Sequence, residues 1–266
     1  MRDFIDANHL FKLNGRSAIV TGAARGIGRA VAEGLASLGV SVALADILED
    51  GLRDTAQAIS GHGYRAIAVK TDLCRQEDRV ALVKQTVASF SCVDILVNAA
   101  GITRGHPSET YPDEDWDSTL AINLTAMFHL CKLVARHMIP RQSGAIINFS
   151  SINGTLGFPN NPAYQASKSG VLGLTRALAT DWAKHNIRVN ALCPGYIHTD
   201  MTDLSYRDPR KNAVRASRTM LSRWGQPVEM VGPVIFLASD AASYVTGQAL
   251  FADGGLTAAG LTESQL

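Results

Sequence analysis

The chain has 266 residues, 46% hydrophobic and 18% charged, which is long enough and apolar enough for one large α/β domain with an ample core. Lys and Arg number 25 against 24 Asp and Glu, a formal net charge of +1, so the total charge gives no ground for a nucleic-acid or membrane partner. No uninterrupted apolar run approaches the roughly 18 to 20 residues of a membrane helix, and the opening Met1, Arg2, Asp3 and Phe4 lack a signal-peptide pattern. A cytoplasmic protein is expected.

Residues 16–21 read as a short buried strand that runs into Thr21-Gly22-Ala23-Ala24-Arg25-Gly26-Ile27-Gly28, and residues 29–38 then show helical periodicity. A glycine cluster alone often means only a turn. Between a strand and a helix it predicts a dinucleotide cradle, in which glycines let the backbone approach a pyrophosphate and the helix N-terminus supplies N–H groups and a positive dipole end. Here Gly22, Arg25, Gly26, Ile27 and Gly28 are candidate cofactor residues. The second predicted strand, 40–45, ends before Asp46. An acidic side chain there accepts hydrogen bonds from the adenosine ribose and repels a 2′-phosphate, which favours NAD over NADP. A strand-end turn or helix cap is the plainer use of Asp46.

Further strands are predicted over 64–70, 93–98, 144–151, 187–193 and 248–252, with helix-like segments between nearly all of them. This alternation implies right-handed crossovers and a parallel sheet covered on both faces, a single-domain, doubly wound Rossmann-type α/β fold over 1–266. Cys74, Cys92, Cys131 and Cys193 are scattered, with no C-x-x-C pair, and read as free thiols, not disulfides or zinc ligands; no metal is expected. A polar stretch at about 198–225, ending in Trp224-Gly225-Gln226-Pro227, has the length of an active-site lid. His198 within it reads as a solvent-exposed loop histidine. Arg104 and His106 are either substrate contacts or solvated loop side chains.

The most informative segment is Tyr164-Gln165-Ala166-Ser167-Lys168. It follows the strand ending at Ser150-Ser151 and opens a helix-like run over 166–184. Tyrosine and lysine four apart share one helix face, a common surface pair but also a proton-transfer group. The cation is expected to pull the phenol down from about 10 toward the working pH. Ser151 could then hold a substrate oxygen against Tyr164.

Thr21 to Gly28, Asn98-Ala99-Ala100-Gly101, Asn123, Ser151, Tyr164 with Lys168, and Pro194-Gly195 stand in the order and rough spacing of the short-chain dehydrogenase/reductase family. The resemblance runs from about Leu10 to Leu256, with Ala99 as a small departure from the family's usual Asn-Asn-Ala-Gly. It implies that Tyr164 is the acid/base, that Ser151 orients the substrate oxygen, and that Lys168 tunes Tyr164 and holds the nicotinamide ribose. It implies that the main chain of Asn123 holds a water in a proton relay. Asp72 and Leu73 resemble the adenine contact, Asn98, Ala99 and Gly101 the groove, and Pro194, Gly195, Ile197 and Thr199 the nicotinamide turn. A basic residue at Arg25 is frequent in members using NADP, which counts against the choice of NAD.

The stretch 194–202 and Arg223-Trp224-Gly225 look like those of the family's sugar and polyol dehydrogenases, gluconate 5-dehydrogenase among them. Asn153, Asn160, Asn161 and Tyr196 could hydrogen-bond such a substrate. Two alternatives are a 3-oxoacyl-carrier-protein reductase, which would want NADPH and a basic patch, and a non-catalytic dinucleotide sensor. By resemblance a homotetramer is expected, its interfaces formed by the last helix and strand, the tail 256–266 and the helices after strands four and five, with a dimer as the alternative.

Overall fold

Successive side chains of a strand point to opposite faces, and the residues here are apolar on both sides. In β1 (Ser17–Thr21), Ala18 and Val20 pack into one buried cluster and Ile19 into another on the opposite face. The same split recurs in β2 (Ser41–Asp46), with Val42 and Leu44 against Ala43 and Ala45. A strand buried on both faces needs helices on both sides, and the chain supplies them. The computed structural model describes residues 6–259. After a short α1 (Ala7–Leu10), the strands β3 (Ala66–Lys70), β4 (Ile95–Asn98), β5 (Gly144–Phe149), β6 (Ile187–Pro194) and β7 (Ala249–Ala252) join β1 and β2 in one seven-stranded sheet of order 3-2-1-4-5-6-7. Every pairing is parallel.

One face is covered by α2 (Gly26–Ser37) and α3 (Glu49–Gly61), through Val31, Leu35, Leu52 and Ile59. The other carries α4 (Gln76–Phe90), α5 (Asp113–Leu120), α6 (Met127–Met138) and α7 (Pro162–Trp182), with Leu82, Leu130, Val134 and Val171 in the core. By length and composition the stretch Asp113–Arg141 could cross a membrane, with mean hydropathy 1.3 over its best window, although no apolar run of that length stands out in the sequence. Its Met127, Leu130, Val134 and Met138 are spent on the sheet instead.

The expected polar lid is more regular than predicted. It folds α8 (Asp203–Arg207) and α9 (Pro209–Ser217), and α10 (Val231–Ala238) then returns to the first face through Val234 and Leu237. Asp208 starts α9 by accepting the Arg210 and Lys211 amides at 3.1 Å, with Pro209 at the first helical position. Because all strands run one way, their carboxyl ends share one edge. Strand order reverses between β1 and β4, and that switch point opens a crevice for ligands.

Candidate active site

The turn after β1 is shaped by two positive-φ glycines, Gly22 at 70° and Gly26 at 56°. A Cβ at Gly22 would lie 3.0 Å from the Ala100 backbone, and one at Gly28 would lie 2.1 Å from the Gly22 carbonyl oxygen. Thr21 Oγ1 accepts the Ala99 and Ala100 amides at 3.1 and 3.2 Å, tying this turn to the one after β4. Together the two turns form the floor of a cleft of about 410 Å³. A cradle that a single methyl group would fill, at the N-terminus of α2, fits the pyrophosphate of a nicotinamide dinucleotide.

Most predicted cofactor positions reach this cleft: Asp46, Asp72 and Leu73 line one end, and Pro194, Gly195, Ile197 and Thr199 the other. Asn98 does not. Its Nδ2 donates to Asn148 Oδ1 at 2.9 Å and to Cys131 Sγ at 3.3 Å, inside the fold, so only the following Ala99 to Gly101 face the groove. Thr202 went unpredicted, yet its Oγ1 donates to the Ile197 carbonyl at 2.6 Å and accepts the Thr199 amide at 2.9 Å, fixing the turn beside Pro194 and Gly195. Its place two residues after Asp200 in the same polar stretch was the available signal.

Ser151, Tyr164 and Lys168 meet at the end of β5. Ser151 starts a short 3-10 turn (Ile152–Gly154), and its Oγ accepts the Asn153 amide at 3.2 Å. The same hydroxyl faces Asn153 Oδ1 at 3.4 Å, and Ser151 lines the cleft together with Tyr164. Lys168 is 4% exposed, its Nζ donating to the Phe149 carbonyl at 2.7 Å and standing 5.5 Å from the Tyr164 ring centroid.

Burial overturns the electrostatic expectation for this pair. It raises the Tyr164 phenol above its ordinary value, with only the Ser151 hydrogen bond working the other way. Lys168 is pushed down to about 8 by the same burial. Desolvation disfavours both charged forms, and for the phenol it outweighs the help of a neighbouring cation.

Asn123 is fully buried in a π-helical turn (Ala121–Ala126) between α5 and α6. Its side chain is spent on structure: Oδ1 accepts the Ile102 amide and Nδ2 donates to the Ile102 carbonyl, both at 2.9 Å, and Nδ2 also reaches Ser167 Oγ at 3.1 Å. That leaves only its main chain for a role in the site, and π-turns, which re-register the backbone ladder, concentrate at functional sites.

The proposed substrate contacts separate. Asn153 sits against Ser151, and Asn161 Nδ2 donates to Thr103 Oγ1 at 2.6 Å. Asn160 is exposed in a positive-φ turn. Tyr196 lines a neighbouring cavity of about 460 Å³, its ring packed edge-on to Phe158 and against Trp224. His198 is not a free loop side chain: it stacks on Tyr206 at 3.7 Å and its Nε2 lies 3.1 Å from Asp203. Arg104 and His106 both pair with Asp115, at 3.0 and 2.9 Å.

Residues 22–257 match a family model described as enoyl-(acyl carrier protein) reductase. The chain is 40% identical over 248 residues to the gluconate 5-dehydrogenase of Gluconobacter oxydans, covering 93% of this chain and 97% of that one. It is 38% identical over 245 residues to a 3-oxoacyl-[acyl-carrier-protein] reductase of Thermotoga maritima, covering 92% and 99%. A solved gluconate 5-dehydrogenase from Burkholderia cenocepacia, in complex with NADP and tartrate, aligns with a TM-score of 0.92 at 38% identity over 96% of this chain and 100% of that one.

That structure and two further solved relatives hold NADP. They overturn the expectation that NADP is the lesser cofactor; it has at least as strong a claim as NAD. The rim shows why Asp46 is a poor arbiter. Its carboxylate already accepts the Ala24 amide at 3.2 Å and the Leu48 amide at 3.0 Å, while Arg25 stands exposed at the same cleft. Likeness over nearly the whole length, on the sheet order and cleft described above, makes the chain a member of the short-chain dehydrogenase/reductase family, an oxidoreductase acting on CH–OH groups with NAD(P).

Proposed function

We propose that the substrate is a sugar, sugar acid or polyol, oxidised at a secondary alcohol or formed from the ketone, with Tyr164 as acid/base. The observation that carries this reading is the convergence of Ser151, Tyr164 and Lys168 on the cleft that the glycine turn floors. In oxidation the Tyr164 phenolate accepts the hydroxyl proton while Ser151 hydrogen-bonds the same oxygen and steadies its developing charge. In reduction the neutral phenol returns the proton. Bound along the glycine turn, the nicotinamide dinucleotide supplies the hydride acceptor or donor. Lys168 holds the nicotinamide ribose, the Asn123 main chain holds a water of the proton relay, and Asn153 extends the hydrogen-bonding edge beside Ser151. Polar side chains at Ser151, Asn153 and Tyr164 suit a polyhydroxylated substrate, because each hydroxyl taken from water needs a partner.

The names of the sugar-acid dehydrogenases among the relatives support this substrate class. Reduction of 3-oxoacyl chains on a carrier protein is the second reading, favoured by the comparable identity to such a reductase and by the basic residues Arg210, Lys211 and Arg215 on α9. Dinucleotide absorbance measured with a panel of aldonates, polyols and 3-oxoacyl thioesters decides. Turnover confined to the thioesters would defeat the sugar reading.

We also propose a cytoplasmic homotetramer. The apolar stripe of α6 faces the sheet, so the helix-helix interface rests on what remains outward, Trp116 and Phe128. Of the tail 256–266 expected at another interface, residues 260–266 lie outside the described residues. Light scattering at micromolar concentration should give four times the chain mass, and a stable active monomer would rule the assembly out.

A further inference from the structure

Arg25 is the residue just before α2, on the glycine turn, and Asp200 follows Thr199 in the turn after β6. Their side chains meet at the cleft: Arg25 Nη1 lies 3.2 Å from Asp200 Oδ2, with 62% and 63% of the two side chains exposed. Next to this pair the two turns touch, since a Cβ on Gly26 would stand 3.6 Å from the Thr199 side chain. Among the described residues this is the one ion pair that joins the glycine turn to the lid segment 198–225; His198, Arg207 and Lys211 pair within the segment, and Arg223 pairs with Glu229. Asp46 lines the same cleft as Arg25 and Asp200.

We propose that Asp200 is a specificity-determining residue for the cofactor, acting through Arg25: it holds the guanidinium at the cleft mouth and gives it up when a 2′-phosphate is present. The inference rests on the cleft being the dinucleotide site, and not on the identity of the alcohol.

The charges along the cleft define the competition. A 2′-phosphate carries close to two negative charges and offers a guanidinium paired oxygens, where Asp200 makes a single contact. An exposed ion pair is weak and screened by salt, so the phosphate can displace Asp200 from Arg25. Asp46 stays out of the exchange, since its carboxylate is held by the Ala24 and Leu48 amides. With NAD no such competitor arrives, and the Arg25 to Asp200 tie persists across the mouth. Asp200 therefore subtracts from the affinity for NADP while leaving that for NAD nearly untouched. It is a positioning residue, because it reaches the 2′ corner only through Arg25.

Calorimetric titration of the full chain with NADP⁺ and with NAD⁺, without any alcohol or ketone, tests this directly. Asp200→Asn should tighten NADP⁺ by about twofold to fivefold, the range open to an exposed ion pair, and change NAD⁺ by less. The gain should shrink in high salt. In an Arg25→Ala background, Asp200→Asn should have no selective effect. Equal tightening of both dinucleotides would show Asp200 acting by its bare charge, and a selective gain that survives without Arg25 would show a different route; either overturns the proposal, as does no change. Loss of the Asp200 effect leaves the alcohol and ketone chemistry standing, whereas a wild type that binds neither dinucleotide removes both.

Discussion

Tyr164→Phe is expected to lower kcat by about 10²-fold to 10⁴-fold, the usual contribution of a positioned acid/base, while dinucleotide binding stays within a few fold. The variant keeps the ring over Lys168 and removes only the phenol hydroxyl. Wild-type pH profiles should carry the same signature. Because burial holds the phenol above its ordinary value, Tyr164 is protonated at neutral pH, and ketone reduction should hold its rate there. Alcohol oxidation needs the phenolate, so its rate should climb with pH, close to tenfold per unit below the phenol pKa. The climb should flatten above about 8, where Lys168 loses its proton and with it any support for the phenolate. Steady-state rates in both directions, with calorimetric binding of the dinucleotide, provide the check. A Phe variant with near-normal turnover would take Tyr164 out of the reaction.

Gly28→Ala should cost dinucleotide binding more than tenfold and lower the melting temperature. The three atoms nearest its Cβ are all backbone: the Gly22 oxygen at 2.1 Å, the Gly22 carbonyl carbon at 2.6 Å and the Thr21 oxygen at 3.1 Å. No flexible side chain can turn away to make room, so the turn or α2 must shift. Overpacking of this kind costs about 1–3 kcal/mol, and each kcal/mol lowers Tm by about 2–4 °C in a large domain. Gly61→Ala is the control, since a Cβ there meets nothing and falls in the last turn of α3. Calorimetry of the two variants should separate them clearly. Equal melting temperatures and equal affinities would mean that the turn yields freely, and the cradle would lose its stated role.

The sheet was legible because strands buried on both faces read as apolar runs. All seven lie where those runs fall, though several begin one or two residues later than predicted. The glycine turn and the Ser151, Tyr164 and Lys168 cluster were legible for a related reason, since local backbone needs fix residue types at fixed spacings. What escaped depends on partners far away in sequence. Asn98 looked like a groove residue until Asn148, on the neighbouring strand, claimed its amide. The Tyr164 and Lys168 pair looked like a simple charge effect, whereas the depth to which the fold buries both decides their protonation. His198 had no local sign of its stacking on Tyr206, because α8 was not foreseen.

The amides beneath the groove bear on how the chain finds its fold. Asn98 and Asn148 are direct register partners of β4 and β5, and their hydrogen bond continues from Asn148 Nδ2 to Thr175 Oγ1 on α7 at 3.1 Å. Apolar strands such as Ile95–Asn98 and Gly144–Phe149 could slide past one another with little loss of greasy contact. A slip of one strand by one residue would turn its amide to the opposite face from its partner's, stranding polar groups in the interior at a cost comparable to a whole hydrogen bond or more. The chain thus carries an internal ruler: among the offsets open to two apolar strands, the amides favour the one that sets the ends of both beside the cleft.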